Sequence, residues 1–165
     1  MTITVTDYCR VDERAAELGC LCPHGIALLP ENFDTARDQT GLLRRTRGTT
    51  LLKALRASNV PVSELLPRSE RIPYITNKHF EWVIPTVFIS AAVLSENPVA
   101  VSVALGVLAN FITDFFKGIP GKKTARLNII VEKKLNRSCK KISYDGDVSG
   151  LESLADIIKE ICEDE

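Results

Sequence analysis

Cys9, Cys20, Cys22 and His24 are the first residues of this chain whose types could do chemistry. Three thiols and an imidazole are the ligand types of a tetrahedral zinc site. Their spacing departs from the familiar zinc knuckles. Cys20 and Cys22 form Cys-x-Cys rather than Cys-x-x-Cys, and Pro23 stands between Cys22 and His24. The plainer expectation is a loop carrying small, half-buried thiols, with no metal and no cofactor. Cys20 or Cys22 with His24 or His79 would also supply the types of a nucleophile–base dyad. Asp145 and Asp147 flank Gly146, a pattern that reads as a turn before it reads as an acid–base pair. The sequence holds no phosphate-binding glycine loop, no Gly-x-Ser-x-Gly elbow and no paired-histidine zinc helix. The expectation is therefore a non-enzymatic protein, with a small enzyme or a zinc-binding module as an alternative.

Arg44, Arg45, Arg47, Lys53 and Arg56 make a local basic patch. Residues 44–80 carry eight basic and two acidic side chains, whereas residues 1–43 carry three basic and seven acidic. Over the whole chain the net charge is zero, so bulk electrostatics names no partner. The patch lacks interleaved aromatic residues on which bases could stack. A solvated face, or salt bridges to the acidic N-terminal block, is the preferred reading over nucleic acid.

The segment that must position everything else runs from Trp82 to Phe116. Two apolar runs, Trp82–Leu94 and Val99–Phe116, are separated by Ser95-Glu96-Asn97-Pro98. Both are read as helices joined by a tight turn, a helical hairpin. Pro98 suits the opening of the second helix, where a missing N–H costs nothing. Ser102, Gly106, Asn110 and Asp114 recur every four residues and share one face. Small residues at that spacing let two backbones approach closely, so this stripe is expected to face the first helix, with Val103 off the stripe. Lys78, Lys117, Lys122 and Lys123 flank the hairpin, while its turn carries only Glu96, a pattern that fits a membrane. The first run is shorter than the roughly 20 residues of a span, and Asp114 would be costly in lipid. A core hairpin or an assembly surface is therefore preferred over membrane contact.

Other elements follow from periodicity. Thr2–Thr6 alternates as a short strand, Asp12–Leu18 reads as a helix stopped by Gly19, and Gly25–Pro30 is a strand or packing segment. Thr49–Ser58 reads as an amphipathic helix ended by Asn59. In the last third, Ala125–Lys133 and Cys139–Tyr144 alternate as two strands around a turn at residues 135–138. Ser149 and Glu152 have the spacing of a capping box, ahead of a helix with Leu151, Leu154, Ile157, Ile158 and Ile161 on one face. The start MTITVTDYCRVDERAAE lacks the basic and apolar regions of a secretory leader. Five scattered cysteines suit reduced thiols in a cytosolic setting.

An apolar helix containing Gly106, a basic linker, the strand pair ARLNIIVEK and KKISYDG, and the helix SGLESLADIIKEI follow one another in residues 99–161. In order and length they resemble small bacterial conflict-system accessory proteins of the effector-associated constant component type. That resemblance implies an accessory or adaptor role beside an effector, and it leaves residues 1–80 outside it.

The fold class expected is α+β: a central apolar helical hairpin, then a two-stranded β-hairpin and a capped amphipathic helix. Residues 1–80 form an N-terminal region of short elements, 81–118 the helical hairpin and 119–165 the strand-turn-strand-helix unit, within one domain. The function expected is an adaptor that binds a protein partner or itself through the hairpin, in the cytoplasm or at the inner face of the membrane. The alternative is a membrane-associated effector whose hairpin enters lipid.

Overall fold

Leu127, Ile129 and Val131 recur at every second residue, and the computed structural model makes them one face of an interior strand of a six-stranded sheet. The structure describes residues 2–30, 32–42, 44–45, 48–66, 74–75, 86–116, 125–134 and 136–163. The strands are β1 (Thr2–Tyr8), β2 (Ile26–Leu29), β3 (Arg44–Arg45), β4 (Val62–Ser63), β5 (Tyr74–Ile75), β6 (Thr86–Ile89), β7 (Ala125–Glu132) and β8 (Cys139–Gly146). The helices are α1 (Val11–Glu17), α2 (Gly48–Ala57), α3 (Ala91–Glu96), α4 (Pro98–Phe116) and α5 (Leu154–Glu163). The sheet order is β1-β8-β7-β6-β2-β4, and β3 pairs with β5 separately. β6 runs parallel to β7, and β2 parallel to β4, while the other neighbours are antiparallel. Parallel neighbours need a long crossover, which α3 and α4 supply between β6 and β7.

The architecture is thus a mixed α/β sheet, which corrects the α+β expectation. The stretch read as a first apolar helix, Trp82–Leu94, is the main cause. Thr86–Ile89 is a strand, Ala91–Glu96 a short helix, and residues 81–85 lie outside the described residues. Val87, Phe88 and Ile89 are each at most 1% exposed, so β6 is buried on both faces. A strand buried on both faces is continuously apolar, and periodicity cannot tell it from a buried helix. The two strands read as a two-stranded hairpin, β7 and β8, belong to the larger sheet, continuous with β6 on one side and β1 on the other.

Helices cover both faces. On one, Val87, Ile89, Ile129, Val131 and Ile142 meet Leu51 and Leu55 of α2, Ala104, Leu108 and Ile112 of α4, and Ile158 of α5. On the other, Ala27, Leu29, Phe88 and Ile130 meet Val11 and Ala15 of α1 together with Phe33, Leu42 and Leu65. Helix ends follow local chemistry. Gly19 (φ 70°) ends α1: its N–H donates to Ala16 O at 3.1 Å, and the Cys20 N–H to Ala15 O at 2.8 Å. This is the left-handed stop that glycine permits. Asn59 (φ 60°) does the same for α2, with its N–H on Arg56 O and the Val60 N–H on Leu55 O. Asn97 Oδ1 accepts the Ala100 N–H at 3.2 Å and caps α4 ahead of Pro98.

Two further expectations are corrected. Ser102, Val103, Gly106, Asn110 and Asp114 are all exposed, whereas Ala100, Val101, Ala104, Leu108 and Ile112 are buried. The small-residue stripe therefore faces away from the core, because the larger apolar residues bury more surface against the sheet. The capping box also falls elsewhere. Val148–Ser153 is a 3-10 turn with Asp147 at its N-cap position, Ser149 is exposed inside that turn, and α5 starts at Leu154.

Three substitutions check this architecture by urea denaturation. Phe88→Ala should cost about 3–5 kcal/mol, the usual loss for a fully buried aromatic. Gly106→Ala should raise stability by about 0.5–1 kcal/mol, since a Cβ there meets nothing within 4 Å and glycine disfavours a helix interior. Ser149→Ala should stay within about 0.5 kcal/mol, because no cap is lost.

Candidate functional site

Thr50, Ala54 and Ser58 recur every four residues along α2 and the turn after it. Val107, Asn110, Phe111 and Asp114 recur at helical spacing along α4. Between these two rows lies an open groove of about 460 Å³. The residues on the α2 side are small, which leaves the space open, while Val107 and Phe111 supply apolar lining from α4. Asp114 contributes a carboxylate. Beyond the groove, α4 exposes Val99 (69%) and Val103 (37%). No charged residue occurs from Pro98 to Thr113, so the outer face of α4 is uncharged for most of its length. All five residues singled out on this helix are thus exposed: Ser102, Val103 and Gly106 lie outside the groove lining, and Asn110 and Asp114 line the groove.

Of the basic patch, the side chains of Lys53 and Arg56 are described. Arg56 holds Glu64 in a 2.7 Å ion pair across from α2, and Lys53 is exposed. Arg44 and Arg45 form β3 against Tyr74 and Ile75. Their side chains, and Arg47 entirely, lie outside the described residues.

A second cluster occupies the sheet end where β1, β6 and β7 finish. Glu132 is 5% exposed, and its Oε1 accepts the Ala91 N–H at 3.2 Å. Its Oε2 lies 3.5 Å from Arg137 Nε. Arg137, held at φ 56° after β7, also approaches Asp12 Oδ2 at 3.4 Å and donates from Nη2 to Cys22 Sγ at 3.9 Å. Arg10 donates to both oxygens of Asp12, at 3.1 and 2.7 Å. That bidentate bond holds the Asp12 carboxyl below the usual carboxylate range. Ser90 completes the joint, since its Oγ accepts from Gly25 N at 2.9 Å and Val93 N at 3.3 Å. These groups tie α1, α3 and two loops to the sheet end, and the buried Glu132 carboxylate caps the start of α3.

The thiols are dispersed. Burial pushes the Cys139 thiol up to about 12, and burial with the nearby Asp34 carboxylate raises Cys9. Both stay protonated near neutral pH, which makes them poor nucleophiles. Cys22 faces the Arg137 guanidinium, and the backbone N–H of the exposed His24 donates to Ser63 Oγ at 3.3 Å. Among the described residues no group of three or more His, Cys, Asp or Glu side chains could hold a metal ion. The structure does not bring Cys9, Cys20, Cys22 and His24 together as a ligand set, and His79 lies outside the described residues. Asp145 is exposed and pairs with Arg126 at 3.3 Å, while Asp147 precedes the 3-10 turn and its carbonyl accepts from the Tyr144 hydroxyl.

Sequence reasoning missed Glu132, Arg137 and Ser90 as the joint of this sheet end. Glu132 falls near the end of the strand read over Ala125–Lys133, beside Lys133 and Lys134, and nothing in that local context marks it as buried. Ser90 was one of two polar residues in a presumed helix, and a serine ahead of Ala91-Ala92-Val93 would have marked an N-cap.

No family model, curated protein or solved structure matches this chain. Among the described residues, no helix is long and apolar enough to cross a membrane.

Asp12→Asn tests the charged joint. The Asp12 carboxyl titrates lower when folded than when unfolded, so its contribution is complete above the unfolded value, about pH 4. It is lost as pH falls through the lower folded value. Asp12→Asn should therefore cost about 1–2 kcal/mol at neutral pH and almost nothing in strong acid, measured as urea midpoints against pH.

Proposed function

We propose that this protein is a non-enzymatic interaction module that holds a partner protein against the outer face of α4 and the α2–α4 groove. The observation that carries this reading is the α4 surface. A helix whose inner face is already satisfied by the sheet also presents Val99 and Val103 outward, with the half-buried Val107 lining the groove, and carries no charge until Asp114. Groove dimensions and lining suit an amphipathic helix laid against apolar anchors, a recurrent mode of recognition. Asp114 favours a partner helix with a basic residue at that end. An accessory role beside a conflict-system effector, implied by the resemblance of residues 99–161, would use such a contact.

Val103→Glu and Asp114→Lys test it. Both positions are exposed, so unfolding midpoints should move by no more than about 0.5 kcal/mol. Affinity for the partner recovered with the wild-type chain, measured by titration of the two purified proteins, should fall about tenfold or more in each variant. Wild type that recovers no protein partner and instead sediments with anionic vesicles, released by Val103→Glu, would replace this reading with a lipid contact.

A further inference from the structure

β1 is the terminal strand of the sheet. It pairs with β8 along its whole length, from Thr2 opposite Asp145 to Tyr8 opposite Cys139. Among the described residues its other edge has no partner strand. In an antiparallel ladder alternate residues turn their N–H and C=O groups outward, so this edge offers a row of hydrogen-bonding groups. Natural edges of this length are usually blunted with lysine, proline or a bulge. Thr2–Tyr8 contains no lysine, arginine or proline, and its pairing with β8 runs in unbroken register. Its one charge, Asp7, is bound by Lys140 of its own chain. Thr2, Thr4, Val5 and Thr6 are exposed.

We infer that β1 pairs antiparallel with β1 of a second copy of this chain, making one continuous sheet through a two-fold axis at Thr4. The side chains carry the choice of occupant. Two copies of the same strand, related by a two-fold axis, form ladder hydrogen bonds only when outward-facing residues of like parity meet. Centring the axis on Thr4 satisfies this and puts Thr4 opposite Thr4, Thr2 opposite Thr6, and Ile3 opposite Val5. Each is a pair that stabilises an antiparallel sheet. Val5, exposed on the face that carries Ile142 and Tyr144, gains an apolar neighbour there. The two Asp7 carboxylates fall about 20 Å apart along the ladder, so no like charges oppose each other. Shifting the axis to Val5 would set Asp7 against Ile3, and shifting it to Ile3 would shorten the overlap.

This surface is separate from the α4 face, and its test does not depend on any partner of that face. Static light scattering on the purified full chain should give twice the mass of one chain. Thr4→Lys and Thr4→Glu each place like charges opposite each other at the axis, so each variant alone should scatter as a monomer with unchanged far-ultraviolet circular dichroism. Mixing the two variants should restore the dimer, because lysine then meets glutamate at the axis. A monomeric wild type, a dimer that survives both substitutions, or a mixture that stays monomeric would each overturn the inference.

Discussion

Burial of β6 on both faces is the constraint on which the rest depends. Val87 and Ile89 point to one side and Phe88 to the other, and all three are almost wholly excluded from water. A sheet buried on both sides must carry a layer on each. The amphipathic helices α2, α4 and α5 therefore gather on one face, and α1 with the 30–42 segment on the other. The parallel contact between β6 and β7 also requires a crossover long enough to return the chain. That requirement is met by the apolar residues that look, in sequence, like the second half of a helical hairpin.

Once the sheet is closed from both sides, its end becomes a place where polar groups are trapped. Glu132 leaves solvent as β7 ends, and an uncompensated buried carboxylate would be expensive. It is offset by the Ala91 N–H and by the Arg137 guanidinium, which in turn meets Asp12 and Cys22. The left-handed conformation of Arg137 belongs to the same joint, since the connection from β7 to β8 turns there. Glu132, Asp12, Arg137 and Cys22 are thereby engaged with one another in holding elements together. Among the described residues, the surface also carries an uncharged helix face beside a groove and a strand edge without lysine or proline.

Periodicity and end signals in the sequence determined several local elements on their own. Alternation in Thr2–Thr6, Ala125–Lys133 and Cys139–Tyr144 marked the strands that become β1, β7 and β8, because a pleated backbone forces side chains to opposite faces at every step. Gly19 and Asn59 specified helix stops, because few other residues accept a left-handed backbone. Pro98 opened α4, as its missing N–H allows. Tertiary structure alone decided the nature of Thr86–Ile89, since a short run that is apolar from Val87 to Ile89 satisfies a buried strand and a buried helix equally. It also decided which side of α4 faces inward. Spacing showed that Ser102, Gly106, Asn110 and Asp114 share a face, but only packing against the sheet shows that face to be the outer one. Distances between residues far apart in sequence, such as Arg137 to Asp12 and to Cys22, have no local signature at all. They exist because the sheet topology brings the ends of β1, β6 and β7 and the start of β2 to the same end of the sheet.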